Sequence, residues 1–295
     1  MDKRFLALIL FIVSCAGLTA SAQQTATYFP YPIVPDSIST LQARTDYLLE
    51  HFWDFCDFKK AFSSRQKMAG AFKDYLSFMP HASARQAHRS VAKLLKSLNK
   101  QPDDLLFLAR KAEEYIHSDT SDIYSDELYL PFAVAVSSNK RIEKAIRDRY
   151  TLQARILSGS QTGMPAPSFA YTDRSGMNAI FSPDSTAEVT ILFFNDPDCM
   201  DCTIARSRLN ADIRASNFIK EGVMRVVAIT PGEADENWKQ MAESYPESWI
   251  VGASSEVDEI YDIPTTPTFY VIDDEHKIAL KRIDINTLLN LISRL

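Results

Sequence analysis

Cys199 and Cys202 are separated by two residues in "FFNDPDCMDCTIARSRL", directly after an apolar run and at the start of a stretch with helical patterning. At that spacing the second sulfur lies about one helical turn from the first, close enough to form a disulfide or to resolve one. A cysteine that opens a helix faces unpaired backbone N–H groups and the positive end of the helix dipole. Both favour thiolate, the form that attacks disulfides and binds metals. Asp196, Asp198 and Asp201 crowd the same pair and oppose that preference. A carboxylate ~7 Å from the sulfur disfavours thiolate by about 0.6 to 2.4 kcal/mol as the effective dielectric falls from ~80 to ~20. The helix end returns about 0.3 to 1 kcal/mol, or ~2 if partly buried. Three acids can therefore cancel the dipole.

A thiol pair can also be half of a zinc site. Cys56 with His51 could in principle complete a Cys₃His set, but both lie far back in the chain and the histidines match no ligand spacing among themselves. The sequence therefore predicts no metal and no cofactor. Cys56 itself reads as a small buried apolar group.

The elements that must position the pair lie in residues 159–295, where strand-like and helical runs alternate. "EVTILFFN" reads as a strand, Cys199 to about Phe218 as one helix and "VMRVVAI" as a second strand. A helix in "ADENWKQMAESY" and a short strand in "SWIVG" follow. "TFYVIDDEHKIALKRI" reads as a hairpin turning at Asp274 and Glu275, and "INTLLNLISRL" closes the chain as a helix. Strands divided by helices, then a terminal hairpin, predict an α/β unit with a mixed sheet. Residues 23–158 have a different texture. Apolar groups recur there at helical spacing with no competing alternation, which predicts an all-helical domain of about six helices. Asp36, Ser37 and Ser39 are candidate caps of the first, and Pro102 and Ser125 sit where later helices commonly begin. Clusters such as "HFWDFCDF" read as core, because aromatics at helical spacing usually pack inward. The boundary falls in the Gly-, Pro- and Ser-rich stretch from Ser158 to Met164.

Composition narrows the class. Apolar residues make up 46% of the chain, enough to build cores. Lysine and arginine number 19 against 16 acids in residues 23–160, and 11 against 21 in residues 161–295. That acidic half would repel a polyanion, so nucleic acid is not an expected partner. The opening "MDKRFLALILFIVSCAGLTASAQQ" has a cationic start, an apolar core too short to span a membrane and a small-residue cleavage site. It predicts a signal peptide over residues 1–22 and export to the periplasm or cell envelope. "IVSC" offers a second reading, a lipoprotein site with Cys15 as the anchor. No transmembrane segment is expected elsewhere. Of the four cysteines Cys15 belongs to this targeting segment, and the three that remain are too few for a disulfide scaffold, so a close pair in an exported chain points to redox chemistry.

Three segments in order resemble the thioredoxin superfamily, in its exported disulfide-reductase branch: "GMPAPSFAYTDRSG", "ILFFNDPDCMDC" and "YDIPTTPTFYVID". The resemblance covers residues 159–295. It implies a thioredoxin-like α/β fold, an exposed nucleophile at Cys199 and a buried resolving thiol at Cys202. It also implies a cis-proline at Pro267, with the backbone of Thr266 free to pair with substrate. Protein thiols or disulfides would be the partners, with an unidentified electron-donor protein to recycle the pair. Three departures stand out. Asp198 replaces a common tryptophan, Met200-Asp201 replaces Gly-Pro or Pro-Pro, and Phe193 stands where thioredoxin has a buried carboxylate. With its acids, the motif is expected to be less acidic at Cys199 than strongly oxidising relatives, as suits a reductant or isomerase. The peroxiredoxin branch also has an "APSF"-like segment but needs a threonine at the place of Asp196. "YFPYPIVPDSISTLQARTDYLLEHFWDF" resembles helical domains of uncharacterised role that precede thioredoxin-like domains in exported proteins of Gram-negative bacteria. The alternative to an enzyme is a binding or scaffold protein whose helices do the work beside a vestigial thioredoxin-like part.

Overall fold

The computed structural model describes residues 28–295 other than 119, 120 and 122. The expected signal peptide and Cys15 lie outside the described residues. None of the described helices is long and apolar enough to cross a membrane.

Among the described residues seven α-helices come first, one more than the periodicity predicts: α1 (Leu41–His51), α2 (Phe58–Ala61), α3 (Arg65–Ser77), α4 (Ala84–Leu98), α5 (Pro102–Ile116), α6 (Asp126–Ser138) and α7 (Lys144–Gly159). The extra one, α2, is a single turn capped by Asp57. The first helix is capped by Thr40 rather than by Asp36, Ser37 or Ser39. Pro102 opens α5, and the Ser125 side chain caps α6 by accepting from Leu128 N–H. In α4 the buried residues Ala87, Val91, Leu94 and Leu98 fall on one helical stripe. The Asp46 carboxylate accepts from Ser83 N–H at 2.7 Å, tying α1 to the start of α4. Phe52 and Trp53 of the "HFWDFCDF" cluster pack with Phe29 and Tyr75 inside the helical core, while Phe55 is exposed. Cys56 packs on that core too, and burial pushes its thiol up to about 11, with the Asp57 charge adding to the shift.

The rest is a seven-stranded mixed sheet in the order β2-β1-β5-β4-β3-β6-β7. Its strands are β1 (Phe169–Asp173), β2 (Asn178–Phe181), β3 (Val189–Phe194), β4 (Met224–Pro231), β5 (Ile250–Ser254), β6 (Thr268–Ile272) and β7 (Ile278–Ile283). The central strands β3, β4 and β5 run parallel and the outer pairs are antiparallel. Strand β3 is buried on both faces, as its unbroken apolar run requires. Ile191 and Phe193 point into one core, and Leu192 and Phe194 into the other. At the β1–β5 contact only glycine fits position 252, since a Cβ there would lie 2.2 Å from the Tyr171 ring. Helices α8 (Met200–Ala211), α9 (Ile213–Lys220), α10 (Glu236–Glu243) and α11 (Ile285–Ile292) complete the unit. The single helix expected from Cys199 to Phe218 is two. Asp212 interrupts it because its carboxylate caps α9, accepting from Arg214 N–H and Ala215 N–H.

Polar contacts join the helices to the sheet. Tyr124 Oη donates to Asp262 at 2.9 Å, Arg155 pairs with Glu259 at 2.7 Å and Lys281 Nζ donates to the Ser160 carbonyl at 3.1 Å. Lys281 also forms an ion pair with Asp126, and the Arg282 guanidinium lies 4.0 Å from the Tyr124 ring centroid.

Candidate active site

The strand β3 ends at Phe194, and the chain turns through residues 195–198 before α8 begins. Asn195 secures that turn from below. It is 1% exposed, and its Oδ1 accepts from Thr230 Oγ1 at 3.0 Å and Tyr245 Oη at 2.9 Å. Its Nδ2 donates to the Phe193 carbonyl at 3.1 Å, and its backbone N–H donates to Ile229. Asp196 shapes the turn by accepting from Asp198 N–H at 2.8 Å, while Asp198 accepts from Asn237 Nδ2 at 3.1 Å. Neither Asn195 nor Asn237 stands out in the sequence. An asparagine after an apolar strand is an ordinary turn signal, and nothing local marks one whose partners lie 35 and 50 residues away.

Cys199 is the N-cap of α8, and its Sγ accepts from Cys202 N–H at 3.0 Å. The two cysteines are joined by a disulfide. Cys199 is partly exposed and Cys202 is 2% exposed, packed among Phe193, Ala205 and Phe269 beneath the helix. The difference follows from the helix itself: Cys199 caps its open end, and one turn later Cys202 lies on the face packed against the core. Asp196, Asp198 and Asp201 are all exposed, with Asp201 in the first turn of α8. Met200 beside them is 73% exposed, so the mouth of the site is acidic with an apolar side chain at its rim.

The Thr266–Pro267 peptide bond is cis. It brings the Thr266 carbonyl to 3.5 Å from Cys199 Sγ, and the Thr268 hydroxyl braces the loop by donating to the Thr265 carbonyl at 2.7 Å. The structure thus gathers Cys199, Cys202, Thr266 and the three aspartates at one end of β3. Phe193 is fully buried at the position where thioredoxin carries its carboxylate. Cys56 and His51 take no part: Cys56 belongs to the helical core, and His51 pairs with Asp54 at 2.7 Å.

Residues 16–158 match a family described as "Domain of unknown function (DUF5106)". A thioredoxin-like protein from Bacteroides caccae superposes with a TM-score of 0.77, covering 92% of this chain and 99% of its own at 23% identity. The chain joins a DUF5106 domain to a thioredoxin-like fold. A conserved protein of unknown function from Bacteroides fragilis is 33% identical over 45% of this chain and 99% of its own, with a TM-score of 0.42. The thioredoxin domain of a thiol-disulfide oxidoreductase from Bacteroides vulgatus is 20% identical over 45% of this chain and 98% of its own, at a TM-score of 0.38. A search of the curated proteins found no match.

Where the DUF5106 helices meet the thioredoxin-like sheet, His117, Asp126 and Asp262 bring their ligand atoms within 4.8 Å of one another. Lys281 and Arg282 already supply the positive charge there, through Asp126 and Asp262 respectively. Burial works to raise the Asp126 carboxyl, but hydrogen bonds from His117 and the Lys281 ammonium outweigh it and hold the group at about 2. Burial together with the Asp262 and Asp126 charges pushes the Tyr124 hydroxyl far above the usual phenol range. Within this cluster Tyr124 and Asp262 alone lie 138 positions apart, a separation that no local motif announces.

Proposed function

We propose that the chain is an exported thiol-disulfide oxidoreductase acting on protein disulfides through Cys199-Met200-Asp201-Cys202, as a reductant or isomerase. The carrying observation is the asymmetry of the pair. Cys199 is partly exposed and its sulfur accepts the Cys202 N–H, while Cys202 is buried one turn along the helix.

In the reduced protein, Cys199 attacks one sulfur of a substrate disulfide. A new S–S bond forms, and the other substrate sulfur leaves as thiolate. Cys202, deprotonated, then attacks Cys199; its bond to substrate breaks and the second substrate thiolate departs. Substrate has gained two electrons, and the protein holds the Cys199–Cys202 disulfide present here. A dithiol donor protein must return the electrons. In isomerisation a second substrate thiol resolves the intermediate instead, and no net oxidation occurs. The N–H of Cys202 and the open end of α8 stabilise negative charge on Cys199 at each stage. Thr266, whose carbonyl already lies against that sulfur, presents its backbone to an extended substrate chain, and Pro267 holds the loop there. Asp196, Asp198 and Asp201 temper the dipole, which keeps the site reducing.

Reduction of insulin or glutathione disulfide by the full chain tests this reading, with Cys199→Ser and Cys202→Ser as controls. The wild type turns over and Cys199→Ser is inert. Equal rates in all three proteins would exclude this chemistry.

A further inference from the structure

The exposed face of α4 carries one sign of charge. Arg85, Arg89, Lys93 and Lys96 lie on it, Lys100 follows just past its end, and all five are exposed. At 3.6 residues per turn the four helical cations fall within about 80° of arc, directly opposite the buried Ala87, Val91, Leu94 and Leu98. The row runs the length of the helix, about 22 Å at ~1.5 Å per residue. No aspartate or glutamate occurs from residue 75 to residue 102. Lys93 pairs with Asp54 at 2.7 Å, while Arg85, Arg89, Lys96 and Lys100 form no ion pair among the described residues. The turn before α7 extends the row: Asn139 Nδ2 and the Arg141 guanidinium both donate to the Asn99 carbonyl, at 3.1 and 3.4 Å. Lys96, Lys100, Lys140 and Arg141 outnumber Asp103 and Glu143 at that end.

Nothing within the helix calls for this arrangement. Arg85–Arg89, Arg89–Lys93 and Lys96–Lys100 are like charges four residues apart, which repel one another. Arg85 also sits in the first turn, where the dipole opposes a cation, and α4 has no acid there to offset it. An anion outside the chain would relieve both penalties. The shape of the row says what kind. Cations strung along a straight helix match a repeating array of phosphates, not one small anion, which needs donors converging on a point. Nucleic acid is such an array, but residues 161–295 hold 21 acids against 11 cations and would be repelled along its length. A bilayer is a plane that meets one side of the molecule, and its charge drives the acidic half, with Cys199, away from it. We infer that α4 docks the protein on an anionic phospholipid surface through the headgroup phosphates, with the redox half turned to water.

Lysine acylation mapped by mass spectrometry tests this on the full chain, with vesicles of phosphatidylcholine alone or mixed with phosphatidylglycerol. The mixed vesicles lower the reactivity of Lys96 and Lys100 at least fivefold and leave the exposed Lys220 and Lys239 of the sheet unit unchanged. Salt at ~1 M, where the screening length is about 3 Å, restores the reactivity, and phosphatidylcholine alone never lowers it. Equal reactivity of Lys96 and Lys100 in both kinds of vesicle overturns the docking, even if the apolar residues 5–13 hold the chain on either bilayer. Equal protection of Lys220 and Lys239 overturns it too. Duplex DNA that protects Lys96 and Lys100 as well as the mixed vesicles do, at equal phosphate, overturns the choice of a bilayer. So does protection that rises with protein concentration in buffer alone, which would mark an interface between copies. A triple variant, Arg85→Gln with Arg89→Gln and Lys96→Gln, brings the protection of Lys100 below twofold and melts within about 3 °C of wild type or higher, because the replaced charges do not support the helix. A melting temperature more than about 5 °C lower would give the row a structural role and overturn the inference.

Discussion

Lys281→Met removes the ammonium that faces Asp126 and leaves the carboxylate where it is. The Asp126 side chain is 1% exposed and that of Lys281 is 8% exposed, so water cannot replace the lost partner without opening the domain junction. His117 at 3.1 Å and the Tyr124 hydroxyl still contact the carboxylate. Neither carries the full, fixed charge of the ammonium. Removing one member of a buried pair typically costs about 3–5 kcal/mol, whereas replacing both with apolar groups of similar volume is often neutral. For a chain of this size, 1 kcal/mol moves the melting temperature by roughly 2–4 °C. Lys281→Met should therefore lower the melting temperature by about 6–20 °C in scanning calorimetry near neutral pH. Adding Asp126→Leu should recover most of that loss. A single variant within about 2 °C of wild type, or a double variant no better than the single, would refute the argument that these two charges hold the junction as a pair.

Three further outcomes follow. The Asp126 carboxyl is held at about 2 against an ordinary value of 3.8, so its deprotonated form contributes stability that is complete above pH ~4 and lost as pH falls through about 2. The shift corresponds to about 2 kcal/mol, and acid unfolding of Asp126→Asn should lack that part of the pH dependence. Asn195→Ala strands the hydroxyls of Thr230 and Tyr245 and should cost about 1–3 kcal/mol in urea denaturation, with slower disulfide turnover because the turn before Cys199 loosens. Asp198→Asn and Asp201→Asn should each lower the Cys199 thiol pKa, by about 0.4 to 1.7 units at ~7 Å, as read by thiolate absorbance at 240 nm. An unchanged or raised value would remove the tempering role given to these acids.

The parts of this molecule that were legible in advance are local ones. A pair of cysteines after a buried strand, a proline ahead of the next strand and apolar stripes at helical spacing are each set by neighbours a few residues away. Asp212 was legible too and was overlooked: "NADIRAS" contains a capping aspartate, and apolar periodicity on either side concealed the break between α8 and α9. The junction was out of reach. Tyr124, Asp126, Asp262, Lys281 and Arg282 look like ordinary surface polars, and only the packing of two separately cored units makes them a cluster. Asn195 belongs to the same class, because its partners come from β4 and from the chain after α10. Histidine and cysteine counts offered no guide either. His117 reaches Asp126 and Asp262 through tertiary contact, while Cys56 lies among the aromatics of the helical core.

The central claim is that the partly exposed Cys199 attacks and the buried Cys202 resolves. Incubating Cys202→Ser and Cys199→Ser full chains with a disulfide-bonded polypeptide, then mapping covalent adducts by mass spectrometry, tests it directly. The account predicts stable mixed disulfides on Cys199 in the first protein and none in the second. Adducts on Cys202, or no adduct on Cys199 from a chain whose wild type turns over, would contradict it.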